Sequence, residues 1–163
     1  MPHILSTRAA YVVTVAFLSA AVFSCGGSEG EEDEYALRLG DVIDTVNQAG
    51  FGIAQPILDV QSCTGEQACL DGGDTLAAEF KTYNRILREQ VDILNSVDAP
   101  DQYADLHSLY TEQLQLRIEA GEMIIEGWES LDDALLNDGF ERFRDSQAKF
   151  SEILDELQSL QSD

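Results

Sequence analysis

Five carboxylates recur every seven residues in the second half of the chain: Asp105, Glu112, Glu119, Glu126 and Asp133, with Glu122 and Glu129 between them. Carboxylate oxygens are the ligands of hard cations, and calcium wants about six to eight of them converging on one point. A helical ridge instead spreads its carboxylates along an axis. Like charges at i,i+4 also cost a helix a few tenths of a kcal/mol each. The ridge therefore reads first as a solvated face that keeps an acidic chain soluble, and only second as a weak divalent-cation or basic-partner surface. Tyr103, His107, Tyr110 and Trp128 lie along the same stretch. They could line a pocket between helices, although aromatics at this spacing equally fill a core.

His107 is the only histidine after His3. Di-iron carboxylate bundles use Glu-x-x-His on two helices, but here Ala104 stands three residues before His107 and no second helix offers a histidine. By helical angle it lies on the shoulder of an apolar stripe, beside Tyr103, Tyr110 and Leu114, where a hydrogen bond to a neighbour suffices. Arg117 occupies the opposite shoulder, where its stem would cover apolar surface. A hydrolase nucleophile would sit on a sharp strand-to-helix turn, as in Gly-x-Ser-x-Gly, and no such turn is predicted in this helical chain. The run Gly26-Gly27-Ser28-Glu29-Gly30 follows an apolar leader rather than a core strand, so it is no phosphate loop. These residues predict no catalytic group, no resident metal and no cofactor.

Composition narrows the partners. The 163 residues carry 9 Lys and Arg against 31 Asp and Glu, a formal charge of −22. Duplex affinity comes from cationic side chains on phosphates, which excludes a nucleic-acid binder. A polybasic membrane-surface module is excluded likewise. Hydrophobic content of 44% is that of a globular chain.

The front of the chain reads as an export signal. Arg8 is the one firmly positive side chain of a short leading region, and the uncharged stretch from Ala9 to Phe23 follows. Its length suits a signal core and falls short of the roughly 20 residues of a permanent span. The stretch ends in Val22-Phe23-Ser24-Cys25. This resembles the lipobox of bacterial lipoprotein precursors, with Val22, Ser24 and Cys25 matching the pattern and Phe23 bulkier than usual. The resemblance implies a signal peptide over 1–24 and acylation of Cys25. It also implies a lipid-anchored protein of the bacterial cell envelope, facing the periplasm or the exterior. Gly26 in place of Asp after the acylated Cys favours the outer membrane by the same resemblance. Removing residues 1–24 takes away Arg8 alone among charged groups and leaves −23. Residues 25–34, glycine-rich then acidic, read as a flexible tether.

With Cys25 assigned to lipid, Cys63 and Cys69 remain. An exported compartment permits disulfides, and an even remainder at short spacing reads as one bridge, Cys63 to Cys69.

Residues 35–163 read as four helices joined in an up-down antiparallel four-helix bundle, an all-α fold. Tyr35, Leu39, Val42, Val46, Ala49, Ile53 and Ile57 step by three and four, placing the first helix at about 35–61, with Gly50, Gly52 and Pro56 expected to bend or break its final third. Asp71-Gly72-Gly73 reads as a turn and Asp74 as an N-cap, giving a second helix at about 74–97 with Leu76, Phe80, Tyr83, Leu87, Val91, Leu94 and Val97 inward. The third is expected at about 100–137, bending at Gly121 or Gly127, and the fourth at about 138–161 after Asn137-Asp138-Gly139. Asp138 and Glu141 are spaced there as a capping box. The combined expectation is a non-enzymatic envelope protein serving in interaction or structure. The alternative is a binding module for a small ligand or cation.

Overall fold

The computed structural model describes residues 30–160. The expected signal peptide and Cys25 lie outside them. Four helices follow in order: α1 (Glu31–Ser62), α2 (Glu66–Asn95), α3 (Ala104–Ser130) and α4 (Asp133–Leu160), with a 3-10 turn at Asp101–Tyr103 leading into α3. Successive helices pack antiparallel, α1 on α2, α2 on α3 and α3 on α4. The fold is the all-α up-down bundle that the helical periodicity predicts.

The stripes meet in one core. Tyr35, Leu39, Val42, Val46, Ile53 and Ile57 of α1 are buried, as are Leu76, Phe80, Tyr83, Leu87, Val91 and Leu94 of α2. From α3 come Leu106, Tyr110, Leu114, Ala120 and Ile124, and from α4 Leu136, Phe143, Ile153 and Leu157. Leu106, Ala120 and Ile153 are among its most deeply buried members, at 1%, 0% and 0% exposure.

The element boundaries differ from expectation at three places, and each difference has a physical reason. The acidic end of the tether, residues 31–34, is the first turn of α1. Carboxylates favour the positive end of a helix, so Glu32, Asp33 and Glu34 help to start one rather than staying extended. Pro56 sits within α1 without ending it. Four residues earlier, where the proline ring meets a carbonyl that has lost its donor, stands Gly52, and a residue without Cβ accommodates that adjustment.

Second, Asp71-Gly72-Gly73 is helical, and α2 begins at Glu66. The turn is made instead by Gly65, whose φ of 95° suits glycine, and its carbonyl accepts the first helical bond from Cys69 N at 3.1 Å. Gly73 serves packing. A Cβ there would run into the Trp128 ring. Asp74 is no N-cap; its Oδ1 accepts the Trp128 indole N–H at 3.0 Å.

Third, α3 ends at Ser130 and Asn137-Asp138-Gly139 lies inside α4. Leu131 takes the left-handed conformation, φ 56° and ψ 36°, and Asp132 N returns a bond to Gly127 O at 2.8 Å. Asp132 then caps α4, its Oδ1 accepting from Ala134 N and Leu135 N at 3.0 Å each. Asp138 and Glu141 therefore form no capping box. Gly121, Gly127 and Gly139 are points of close approach. A Cβ on Gly121 would strike the Asn84 amide; one on Gly127 would meet Leu136 N at 2.5 Å, and one on Gly139 Ile124 N at 2.9 Å.

Candidate functional site

The aromatic candidates do not share one pocket. Tyr103 and His107 meet Tyr35 where α1 and α3 begin: Tyr35 Oη and His107 Nδ1 share a hydrogen bond of 2.8 Å, and the Tyr35 and Tyr103 rings stand 5.2 Å apart. Tyr110 is buried deeper, at 2% exposure. Trp128 lies at the far end of α3, about 32 Å from His107 at 1.5 Å per residue, where it joins α3 to α2 through Asp74. His107 thus does what a shoulder histidine does, bonding to a neighbour.

Burial raises the Tyr35 hydroxyl to about 12, with the neighbouring Tyr103 adding to the shift. Burial raises Tyr110 as well. A folded-state value above the ordinary 10 means that these protons leave the unfolded chain first as pH rises. The stability Tyr35 contributes is whole below pH 10 and is lost as pH climbs through about 12. Alkaline titration should therefore show tyrosinate absorbance and loss of helicity rising together, and Tyr35→Phe should flatten the pH dependence in that window. An unchanged slope would remove Tyr35 from the account.

The acidic series is divided by the structure. Asp133 is the first residue of α4, so it does not continue the α3 ridge. Asp105, Glu112, Glu119 and Glu126 are exposed on α3. Yet the edges of that face are bridged to neighbouring helices. Toward α4, Glu119 pairs with Arg142 through both its Nε and Nη2, and Glu112 pairs with Lys149 at 3.2 Å. Toward α2, Glu122 pairs with Arg88 and Glu129 with Lys81. Hydrogen bonds to Glu112 and Glu152 raise the Lys149 ammonium. Among the described residues no group of three or more His, Cys, Asp or Glu gathers as a metal centre would require.

Exposed ion pairs are worth about 0.2–1 kcal/mol, so substitutions along this face should divide by partner. Glu119→Gln should lower stability by roughly half a kcal/mol at low salt, and the loss should fade at high salt. Glu126→Gln should leave stability unchanged or slightly raised. Equal effects of the two in paired urea melts would contradict the division.

Cys63 and Cys69 are joined by a disulfide that closes the α1–α2 turn. Cys63 caps α1 and Cys69 lies in the first turn of α2.

Reading the sequence passed over the buried polar residues. Asn84 and Gln113 are each 1% exposed. Asn84 Nδ2 donates to the Ile118 carbonyl at 3.0 Å, and Gln113 Nε2 to the Ser146 carbonyl at 3.2 Å. Tyr83, 2% exposed, accepts from Arg117 Nη1 at 3.2 Å. Arg117 and Tyr83 also line a small cavity with Asn47 and Gly50 of α1 and Phe143 and Gln147 of α4. A polar residue within one turn of an apolar stripe was the available signal for Asn84 and Gln113, and it is a weak one; Tyr83 and Arg117 were legible singly but not as a pair.

What the geometry defines is an acidic, disulfide-clipped four-helix bundle with a largely filled core. No protein-family model, curated protein or solved structure matches the chain.

Proposed function

We propose that the protein is a lipid-anchored component of a bacterial cell envelope, tethered to a membrane through Cys25, with an interaction or structural role rather than an enzymatic one. The observation that carries this reading is the distance along the chain from Cys25 to the bundle. Only Gly26-Gly27-Ser28-Glu29-Gly30 separates the cysteine from Glu31, where α1 begins. Fully extended, that linker reaches about 20 Å. An acyl chain on Cys25 would therefore hold the bundle close above the bilayer, with the Tyr35–Tyr103–His107 end nearest to it and the Cys63–Cys69 turn outermost.

Charge supports a covalent anchor. A domain of −23 is repelled by anionic headgroups and gains nothing from the surface field that draws basic segments. Among the described residues no helix is long and apolar enough to cross a membrane. An outer-membrane destination follows from Gly26 by the lipoprotein resemblance. A cation-binding role finds little support in α3, where Glu112, Glu119, Glu122 and Glu129 are engaged with cations of α2 and α4.

Cys25→Ala tests the anchor. The variant should lose incorporation of labelled fatty acid and move from the membrane pellet to the soluble envelope fraction. Membrane association that survives the substitution would overturn the reading.

A further inference from the structure

The exposed side of α1 changes character partway along. From Thr45 to Leu58 the chain carries no charge, although charged residues make up 25% of the sequence. Core packing accounts for Val46, Ile53 and Ile57, which are buried. It does not account for Thr45, Gln48, Phe51, Gly52, Gln55 and Leu58, which are exposed and lie on the side of α1 away from that stripe. The exposed side of α3, by contrast, carries Glu112, Glu119, Glu122 and Glu126. Phe51 is 60% exposed and Leu58 50%. Thr45 Oγ1 donates to the Asp41 carbonyl at 2.8 Å and Gln55 Nε2 to Asp59 Oδ1 at 2.7 Å, so both polar side chains bond within their own helix. The face is about 20 Å long at 1.5 Å per residue, with Asp41 and Asp44 before it and Asp59 after it.

A charge-free patch with an aromatic at its centre has the composition of an interface core. The charge of the chain selects what covers it. A basic partner would be drawn to the carboxylates of α3 instead. Two copies at −23 each repel wherever carboxylates meet carboxylates, and a face without charge lets them touch. Six exposed residues fall well short of the roughly 20–30 a side of a stable complex, so pairing requires confinement. Lipid anchors supply it by holding copies in one plane at high effective concentration. They also fix the orientation. Antiparallel copies would set their α1 starts about 48 Å apart along the bundle, beyond the ~20 Å reach of the linker. Parallel copies about a two-fold axis keep both Cys25 residues on one membrane and bring Phe51 against its counterpart.

We propose that the uncharged face of α1, from Thr45 to Leu58, pairs two membrane-anchored copies of this chain in parallel. The inference rests on the Cys25 anchor. Asp41, Asp44 and Asp59 border the contact and meet their own counterparts, so pairing should strengthen as salt screens them.

The test uses the full-length protein in its own membranes, where acylation occupies Cys25 and the disulfide occupies Cys63 and Cys69, so that one added cysteine reports contact. Gln55→Cys should give a disulfide-linked homodimer on oxidation with copper phenanthroline. Gln115→Cys, on the exposed side of α3, should not. Adding Phe51→Glu to Gln55→Cys should reduce the cross-linked fraction by about tenfold, since it buries a charge at the centre of the contact. Phe51→Ser should reduce it less and remains informative if the Glu variant does not fold. Cys25→Ala combined with Gln55→Cys should stay monomeric in the soluble fraction. Absence of a homodimer from acylated, membrane-bound Gln55→Cys would overturn the pairing and leave the anchor standing, whereas a protein that takes up no fatty acid would remove both. Equal cross-linking at Gln55 and Gln115, or a cross-link to a different envelope protein in place of the homodimer, would also overturn it.

Discussion

Phe80→Ala should destabilise the protein by about 3–5 kcal/mol, the range for removing a large aromatic from a packed interior. Phe80 has no exposed surface, and its ring stands edge-on to two others, Tyr83 at 6.2 Å and Phe143 at 5.8 Å. Its removal leaves a void between α2 and α4 and strips the edge-to-face contacts from both partners. Urea unfolding followed by circular dichroism would measure the loss. Leu37→Ala supplies the control, because Leu37 is 69% exposed and should change stability by no more than about 0.5 kcal/mol. A loss below about 1 kcal/mol for Phe80→Ala would mean that α2 and α4 are not packed through this ring.

Gly127→Ala should also destabilise, by about 2–3 kcal/mol, even though alanine is the better helix former by about 1 kcal/mol. The added methyl would lie 2.5 Å from Leu136 N and 2.8 Å from Leu136 Cα. Backbone cannot swing aside as a side-chain tip can, so α4 must move off α3. Gly40→Ala reverses the sign. Nothing lies within 4 Å of its added Cβ, and the propensity gain of about 1 kcal/mol should appear as increased stability. If both substitutions stabilised, the close approach of α3 to α4 would be wrong.

These two glycines also show where the sequence is legible. Apolar residues at three- and four-residue steps identify the helices, their number and most of the core, since every residue of the expected stripe from Leu76 to Leu94 is buried. The ends are harder to read. Gly72, Gly73 and Gly139 beside Asp or Asn have the composition of turns, yet they are helical. The glycine at a turn and the glycine beneath a neighbouring ring look alike until the neighbour is known, and Trp128, which lies over Gly73, is 55 residues away. The turns that form in their place use Gly65, between α1 and α2, and the pair Leu131-Asp132, between α3 and α4. Leucine in a left-handed turn gives no local warning. The candidate site divides the same way. His107 was readable as a shoulder residue, whereas the juxtaposition of Arg117 with Tyr83 depends on how α2 and α3 are set against each other.

The four ion pairs between helices have a consequence for alignment rather than for depth of stability. Along α2 the cations Lys81 and Arg88 are seven apart, as are Glu129 and Glu122 opposite them; along α4 Arg142 and Lys149 repeat that spacing against Glu119 and Glu112. Sliding α4 by one turn in either direction would bring Arg142 to Gln115 or Met123 and Lys149 to Ser108 or Leu116, none of them charged. Sliding α2 one way would set Lys81 against Ile125 and Arg88 against Ile118. An apolar stripe tolerates such slippage, because leucine meets leucine a turn further on. The scarce cations act as a vernier, each seam read at two marks, and a chain with so few positive charges has placed four of them where a misaligned bundle would leave every mark unmatched on the slipped α4 seam.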